Sequence, residues 1–591
     1  MPKSGKHLTL ESREAIEQGI RDGDPASKIA RRLRAAASTV TREARAHRTV
    51  RPKKMSPHES ASSRCAGGLR APRAARPAPN APPSTPTARI AGREGASWPE
   101  ALPTHVDHSY LILYNMIYNT LIYTNEVSCM PFIDRKNEIA VLEEEYHQDG
   151  ASFVVLYGRR RVGKSELLKE FIKGKRALYY LATEESEVEN RSSFQSVASA
   201  MLNLPLLEGA PFQKWEDAFR YIVEQETDDR IVIVIDEFQY LGKVSPAFPS
   251  VMQRIWDTVL KGRYVMLILC GSLISMMISQ TLSYDSPLYG RRTRQIRLGQ
   301  IPFAYYHEFY EGKSRQELIE LYSVTGGVPK YVEQFKSSRN IYEAIQKNVL
   351  EKSSYLYDEP YFLLQNEVKE IGSYFSIIKS IAFGNQKLGN IAADLEIKRT
   401  SLTVYLKTLI DLGILEREVP VTEESPEKSR RGLYKIKDNF IEFWFRFVFP
   451  NKSFIESGHV DLAMRKIRAN LVDNHIAHVY EDVCRERLWE LNGDDAWPFI
   501  FLKAGRWWDN HNNEIDVVAT DPDEGNIILG ECKYWKGEVG VNVLRKLEEK
   551  AALVDWRKGK RKEWFVLFSI HGFTEELQAL AEERDDLMLL S

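Results

Sequence analysis

The residues best suited to chemistry in this chain form one short loop, GRRRVGKS, from Gly158 to Ser165. Gly158 and Gly163 let the backbone approach phosphate oxygens closely, with the amide groups of the loop pointing inward. Lys164 has the length and charge to bridge the β- and γ-phosphates, and the Ser165 hydroxyl is a ligand for Mg²⁺. The predicted nucleotide-binding residues of this loop are Gly158, Arg159, Arg160, Arg161, Val162, Gly163, Lys164 and Ser165.

A second segment completes the predicted nucleotide site. The strand RIVIVID, Arg230 to Asp236, is apolar enough to be buried on both faces, and Glu237 follows it. Asp236 is expected to hold the Mg²⁺ shell, and Glu237 to orient or activate the attacking water. The loop and the strand, in this order, predict a site for ATP and Mg²⁺ in which Lys164 and Glu237 are catalytic.

Two further positions could touch the nucleotide. The strand Tyr264 to Cys270 is followed by Gly271 and Ser272. Ser272 is predicted to contact the γ-phosphate or the attacking water; the alternative is a serine that only closes the turn. Arg291 lies in an arginine cluster and is a candidate for the residue that stabilises transition-state charge. It could act within its own chain or from a neighbouring subunit of a homo-oligomer. The same cluster would also suit a loop that faces solvent or DNA.

A smaller group of residues near the C-terminus suits a metal-dependent nuclease. A helix is expected from Asn470 to Leu491, and strands are expected over 514–519 and 527–534. Alternation along a strand places Glu531 and Lys533 on one face. Carboxylates on neighbouring strands can share a divalent ion that activates water, while a lysine positions that water.

These positions resemble the core of PD-(D/E)XK nucleases. The candidate metal ligands are Glu481, Asp516 and Glu531, and the candidate catalytic residues are Asp516, Glu531 and Lys533. The alternative is a nuclease fold kept as a scaffold, with its acids solvated or paired with Lys533.

Residues 388–417 have the spacing of a helix-turn-helix that leads into a strand. Leu395, Leu402 and Leu406 are expected to face inward. The side chains expected to face a DNA groove are Lys398, Arg399, Thr400, Ser401 and Thr403, with Lys428, Arg430 and Arg431 at the tip of a wing. A winged helix can also mediate protein contacts, so both functions are open here.

The elements that position these motifs alternate between strand and helix from Phe153 to about Leu298, as a parallel α/β sheet requires. The loop GRRRVGKS, the strand IVIVIDEFQYL, YSVTGGVPKYV and DNFIEFWFRFVFP together resemble archaeal-type ATPases of the AAA/STAND group. The resemblance implies an α/β multidomain protein. Its expected parts are a P-loop ATPase core (130–300) with an AAA-like parallel sheet, a helical lid (301–370), a winged helix (371–450) and an α/β nuclease-like domain (451–591).

The start of the chain differs from the rest in charge. Residues 1–106 hold 20 Lys and Arg against 9 Asp and Glu, whereas the remainder holds 61 against 73. Residues 1–49 are predicted to form a helix-turn-helix that resembles the N-terminal one of insertion-sequence transposases. Residues 50–129 are predicted to be a disordered linker or a mis-fused segment, in which case Met130 begins the native protein.

The 5 cysteines never occur at a metal-ligand spacing, which favours a reducing, cytoplasmic location. The apolar segment Tyr110 to Tyr123 is shorter than the roughly 18–20 residues that span a bilayer. We therefore expect ATP and DNA as partners and no membrane domain. The expected function is an ATPase that couples nucleotide binding and hydrolysis to a DNA-associated winged helix and nuclease-like domain. The alternative is a nucleotide-dependent switch or scaffold, in signalling or toxin–antitoxin control, with an inactive nuclease fold.

Overall fold

The parallel sheet predicted from the alternating pattern is present in a computed structural model, which describes residues 132–204, 212–225, 229–494 and 496–591. Its strands are β1 (Ser152–Tyr157), β2 (Ala177–Leu181), β3 (Ile231–Asp236), β4 (Val265–Gly271) and β5 (Arg294–Arg297). They lie in the order β2-β3-β4-β1-β5, and every pair is parallel. β1, β3 and β4 are buried along their whole length, as strands covered on both faces must be. The predicted helix-turn-helix (1–49), the linker (50–129) and the Met130 start lie outside the described residues.

Helices cover both faces of this sheet. They are α1 (Lys136–Tyr146), α2 (Lys164–Ile172), α3 (Glu187–Leu202), α4 (Trp215–Val223), α5 (Gln239–Val244), α6 (Phe248–Ile255) and α7 (Ile274–Met277). Alternation within the strands divides the core in two. Val154 and Leu156 pack with α2 on one face, whereas Phe153 and Val155 belong to the larger cluster on the other. The phosphate loop is thus held between a buried strand and a buried helix.

A helical region follows the sheet. It contains α8 (Phe303–Tyr306), α9 (Arg315–Thr325), α10 (Pro329–Phe335), α11 (Ile341–Ile345) and α12 (Glu359–Gln365). The turn between α9 and α10 requires glycine, because a β-carbon at Gly327 would collide with the backbone of Ile301. The Ile301 amide donates a 2.8 Å hydrogen bond to the Gly327 carbonyl, which ties this turn to the end of the sheet.

Three helices and a hairpin come next. They are α13 (Ile371–Ala382), α14 (Leu388–Asp394), α15 (Arg399–Asp411), β6 (Leu415–Glu418) and β7 (Leu433–Ile436), with β6 and β7 antiparallel. Leu402 and Leu406 are buried and Leu395 is half-buried against the core, as the spacing predicts.

The C-terminal part is a second α/β unit. Its elements are α16 (Asn439–Phe443), α17 (Lys452–Glu456), α18 (Val460–Leu471), α19 (Ala477–Glu490), β8 (Lys503–Trp508), β9 (Glu514–Asp521), β10 (Asn526–Lys533), α20 (Val541–Ala551), β11 (Lys562–Ser569), α21 (Glu575–Glu583) and β12 (Leu587–Leu590). The sheet order is β12-β11-β10-β9-β8; β8 to β10 are antiparallel, and β10 to β12 are parallel. The helix predicted from Asn470 begins earlier, because α18 continues into α19 through a π-helical turn, Val472–Ile476.

The predicted domain boundaries stay predictions. One cluster of buried hydrophobic side chains extends from β1 to the C-terminal sheet, and it crosses every predicted boundary in this part of the chain. Among the described residues, no helix combines the length and apolar character needed to cross a bilayer.

Candidate nucleotide and metal sites

The phosphate loop has the backbone that its sequence predicts. Gly163 has φ of 93°, a left-handed value that favours glycine, directly before α2. A β-carbon at Gly158 would collide with the carbonyl oxygen of Leu298. The two glycines therefore make a narrow cradle whose floor is the N-terminus of α2, which is a favourable place for an anion.

The Lys164 ammonium group lies inside this cradle. It is buried and donates hydrogen bonds of 2.9 Å to the carbonyl oxygens of Gly158 and Arg159. The lysine thus closes the loop from within, at the place where phosphate oxygens would compete for it.

Asp236 and Ser165, the predicted magnesium residues, are in contact. The Ser165 hydroxyl donates a 2.7 Å hydrogen bond to Asp236 Oδ2, and the Glu237 amide donates one of 2.9 Å to Oδ1. The hydroxyl of Tyr179 on β2 also donates to Oδ2. A carboxylate and a hydroxyl oxygen are the ligand types that Mg²⁺ prefers, so this donor pair fits the ion.

Glu237 is held by two donors at the end of β3. Its φ of 55° is left-handed, an uncommon conformation for a residue other than glycine. Its Oε2 accepts a 2.7 Å hydrogen bond from the Ser272 hydroxyl and another from the Gln239 amide group. β4 lies between β1 and β3, so Ser272 at its end lies between the loop and Glu237. Ser272 contacts the predicted water-activating carboxylate, and its own contact with the nucleotide stays a prediction.

Arg291 is placed away from the loop. Because β5 runs parallel to β1 with Arg294 opposite Val154, residues before β5 lie at the end of the sheet where β1 begins. The phosphate loop follows the other end of β1. Arg291 instead forms a 2.9 Å ion pair with Asp257. The prediction that Arg291 binds nucleotide within its own chain is therefore wrong, and a role in a neighbouring subunit stays a prediction.

The three arginines of the loop each have a side-chain partner elsewhere in the fold. Arg159 forms a buried ion pair with Asp438 and donates a 2.7 Å hydrogen bond to the Tyr331 hydroxyl. Arg161 pairs with buried Glu359, which also accepts a 2.7 Å hydrogen bond from Tyr331. By contrast, Arg160 donates a 2.9 Å hydrogen bond to the hydroxyl of Tyr240, which lies in the ATPase core. Two arginines thus connect the loop to the helical region and to α16.

The C-terminal acids form a cluster at the beginning of β9. Ligand oxygens of Glu481, Glu514 and Asp516 all lie within 4.8 Å of one another. Asp516 Oδ2 accepts a 2.9 Å hydrogen bond from the Cys532 amide, which joins β9 to β10. Burial, and then the carboxylates of Glu481 and Glu531, raise the pKa of Asp516 to about 7. A divalent cation would relieve this repulsion, and the all-oxygen donor set suits Mg²⁺ or Mn²⁺.

The ligand set differs from the predicted one. Glu531 forms ion pairs of 2.7 Å with Lys533 and 2.9 Å with Lys550. The cluster of mutually close carboxylates contains Glu514 in the place predicted for Glu531, although Glu514 is itself paired with Arg506. Glu481 and Asp516 come together as predicted, and Lys533 lies beside Glu531.

Several contributing residues had no local signal in the sequence. Tyr179 and Gln239 hold Asp236 and Glu237, Lys550 approaches Glu531 from α20, and Arg506 pairs with both Glu514 and Glu418. The only available hint was a polar group in an otherwise apolar strand, as at Tyr179.

The predicted groove-facing side chains at the start of α15 lie on the surface. All five are exposed: Lys398, Arg399, Thr400, Ser401 and Thr403. Lys428 and Arg430 are also exposed between β6 and β7, whereas Arg431 donates a 2.6 Å hydrogen bond to Glu423. The described residues thus expose cations both at the start of α15 and between β6 and β7.

Three family models match the chain. Residues 132–335 match an ATPase domain predominantly from Archaea, which confirms the prediction of a nucleotide-binding ATPase. Residues 444–550 match archaeal and bacterial proteins of unknown function. Residues 4–47 match a helix-turn-helix domain, in agreement with the prediction for the start of the chain.

Two similar proteins come from the archaeon Methanocaldococcus jannaschii. An uncharacterized protein of Methanocaldococcus jannaschii is 38% identical over 405 residues, which cover 68% of this chain and 88% of that protein. An uncharacterized ATP-binding protein of the same organism is 44% identical over 45 residues, 8% of this chain and 76% of that protein. Among solved structures, a Walker-type ATPase of Pyrococcus abyssi aligns with 21% identity and a TM-score of 0.44, over 53% of this chain and 96% of its own. The ORC2 protein of Aeropyrum pernix, with ADPNP and ADP, aligns with 13% identity and a TM-score of 0.35, over 57% and 98%.

Proposed function

Because this chain belongs to the archaeal-type ATPase family, we propose that it hydrolyses ATP and passes its nucleotide state to a DNA-binding winged helix and a metal-dependent nuclease site. The observation that carries this proposal is the buried ion pair between Arg159 in the phosphate loop and Asp438 before α16. Breaking one partner of such a pair leaves an uncompensated buried charge, at a cost of about 3–5 kcal/mol. The loop and α16 must therefore move together.

A second link runs in parallel. Arg161 pairs with Glu359 of α12, and Tyr331 joins this pair to Arg159 by hydrogen bonds. Phosphate binding draws the backbone amides of the loop inward. Any shift of the loop then reaches α12 and α16 through these side chains rather than through the backbone.

For hydrolysis, the chain supplies each required group. Lys164 would neutralise charge on the β- and γ-phosphates, and Glu237 would hold the attacking water and accept its proton. Mg²⁺, held by Ser165 and Asp236, would supply further positive charge to the phosphates. Ser272 and Gln239 keep the Glu237 carboxylate in place.

DNA binding is supported by the helices and hairpin from Ile371 to Ile436. Their order is that of a winged helix, and the exposed side chains of α15 are basic or carry hydroxyl groups. Lys428 and Arg430 would contact phosphates from the wing.

The nuclease proposal rests on the order of elements around the acidic cluster. A helix, three antiparallel strands, a second helix and a parallel strand (α19, β8 to β10, α20 and β11) form the arrangement expected of a PD-(D/E)XK core. Glu481, Glu514 and Asp516 would hold the metal, which lowers the pKa of bound water. Lys533, beside Glu531, would offset charge on the scissile phosphate.

A second candidate function is a nucleotide-dependent switch that cuts nothing. The pairing of Glu531 with two lysines and of Glu514 with Arg506 favours it, since both acids are then neutralised without a metal.

One experiment separates the two functions. Cleavage of plasmid and linear DNA by the full chain would be measured with Mg²⁺ or Mn²⁺, with and without ATP, beside Lys164→Ala and Asp516→Ala. We expect cleavage that Asp516→Ala abolishes and that ATP alters only when Lys164 is present. Intact ATP turnover without cleavage under every condition would favour the switch and contradict the nuclease.

A further inference from the structure

We propose that Tyr179 is a positioning residue for the magnesium end of the nucleotide site, where it holds Asp236 in the orientation that Mg²⁺ requires. Neither the loop pattern nor the strand that ends in Asp236 includes this residue. It lies on β2, beside β3, with Tyr179 opposite Val234 in the parallel register. The proposal concerns the ATPase site alone and does not depend on DNA binding or cleavage.

Strand alternation directs Tyr179 and its neighbour Tyr180 to opposite faces of the sheet. Tyr179 packs in the cluster beside α2, the helix that begins with Lys164 and Ser165. Tyr180 packs in the cluster on the other face, where its hydroxyl donates hydrogen bonds of 2.9 Å and 2.8 Å to Asn190. The two phenols are therefore chemically alike and buried alike, but only one reaches the nucleotide site.

The Tyr179 hydroxyl donates to Asp236 Oδ2, the oxygen that also accepts the 2.7 Å hydrogen bond from Ser165. The other oxygen, Oδ1, accepts from the Glu237 amide at 2.9 Å. Asp236 is only 2% exposed, so water is a poor replacement for any of these donors. Together these three donors define one orientation of the carboxylate, which the Cys270 thiol, a weak donor, also contacts.

Ser165 cannot be the permanent holder of Asp236. Its hydroxyl oxygen is also the expected Mg²⁺ ligand, so its direction must change when the ion is present. The Glu237 amide is part of the backbone and reaches only Oδ1. Tyr179 is then the side chain that keeps Oδ2 in place, because its ring is packed between β2 and α2 and has few rotamers to exchange.

The expected consequence is specific to magnesium. Loss of the phenol oxygen leaves the phosphate cradle of Gly158, Gly163 and Lys164 intact, so affinity for the nucleotide without metal should not change. The gain in nucleotide affinity that Mg²⁺ provides should become smaller, because the charge-assisted hydrogen bond that orients the Asp236 carboxylate is lost. Hydrogen bonds to charged groups predict an effect of about tenfold.

The test uses the full chain and its Tyr179→Phe variant, with Tyr180→Phe as the matched control. The affinity for a fluorescent ATP analogue is measured once with Mg²⁺ and once with EDTA, and the ratio of the two affinities is compared. We expect the ratio to fall about tenfold in Tyr179→Phe and by less than about twofold in Tyr180→Phe, with equal EDTA affinities. The proposal is overturned by an unchanged or increased ratio in Tyr179→Phe, or by the same decrease in both variants.

A second measurement excludes a general folding defect. Each variant loses one buried hydroxyl, so their thermal unfolding midpoints without nucleotide should agree within a few degrees. A Tyr179→Phe midpoint far below that of Tyr180→Phe, with a lowered EDTA affinity, would assign Tyr179 a structural role and overturn the proposal as well.

Discussion

Arg159 in the phosphate loop and Asp438 at the start of α16 form a buried ion pair, although they are 279 positions apart in the sequence. Asp438 also accepts a 2.7 Å hydrogen bond from Gln300 and caps α16 through a 2.8 Å bond from the Ile441 amide. One carboxylate thus joins the phosphate loop, the end of the parallel sheet and the helix that leads into the C-terminal unit.

Replacement of Arg159 by methionine should destabilise the protein. It leaves Asp438 without its buried partner, at a cost of about 3–5 kcal/mol, which lowers the thermal unfolding midpoint of a protein of this size by about 3–5 °C. The matched control is Arg160→Met, which removes a single hydrogen bond to Tyr240 and should shift the midpoint by less than about 2 °C. The thermal unfolding midpoints are measured by circular dichroism. Equal shifts of the midpoint in the two variants would contradict a stabilising role for the ion pair between Arg159 and Asp438.

The Glu237→Gln variant should bind ATP but hydrolyse it slowly. The amide keeps the size of the side chain but cannot accept a proton from water, so turnover should fall about 100-fold or more while ATP affinity stays within about threefold. Turnover is measured as phosphate release and affinity by fluorescence titration. Glu166→Gln, in the exposed first turn of α2, is the control and should behave as wild type. Normal turnover in Glu237→Gln would exclude Glu237 as the base.

DNA binding should depend on the exposed cations at the start of α15. Lys398→Ala combined with Arg399→Ala removes two potential phosphate contacts, so the slope of log affinity against log salt should decrease by about 2. Arg431→Ala is the control, because this arginine is already paired with Glu423. Affinity is measured by fluorescence anisotropy over a series of salt concentrations. An unchanged slope in the double variant would indicate that this surface serves protein contacts instead.

Asp516 should make both stability and metal binding depend on pH. Its pKa is raised in the folded chain from 3.8 to about 7, so the folded state binds more protons than the unfolded state between these values. The stabilisation that Asp516 contributes should therefore be fully present below about pH 4 and be lost progressively as the pH rises through about 7. The variant Asp516→Asn cannot lose a proton there, so its unfolding midpoint relative to wild type should be higher at pH 8 than at pH 5.

The same titration has a counterpart in Mn²⁺ affinity. A metal competes with the proton of Asp516, so affinity in the wild type should increase as the pH rises through about 7. Titration calorimetry at several pH values measures it. A wild type whose stability and Mn²⁺ affinity do not change across this range would show that Asp516 is already ionised at low pH.

Much of the nucleotide site could be predicted because its signals are local. The glycines and Lys164 of the loop lie within eight residues, and Asp236 and Glu237 directly follow an apolar strand. The strand β4 was also predicted, so the polar Ser272 at its end could be singled out. The position of Arg291 away from the loop of its own chain could not be predicted, because a sequence does not show at which end of the sheet a residue before an added strand will lie.

The C-terminal cluster shows the same limit. Strand alternation correctly places Glu531 beside Lys533, but it contains no information on Lys550, which lies on a helix 19 positions after Glu531. Lys550 and Lys533 both pair with Glu531, and the cluster of close carboxylates contains Glu514 instead.

The sequence by itself determined the loop, the strands and helices around it and the residue types that can bind phosphate and magnesium, because these follow from short-range spacing and hydrophobic pattern. Only the tertiary structure decided which distant groups the long side chains meet: Asp438 for Arg159, Asp236 for Tyr179 and Glu531 for Lys550. Arginine, lysine and tyrosine place their polar ends several ångströms from the backbone. Their partners are therefore set by how sheets and helices pack, which no local pattern encodes.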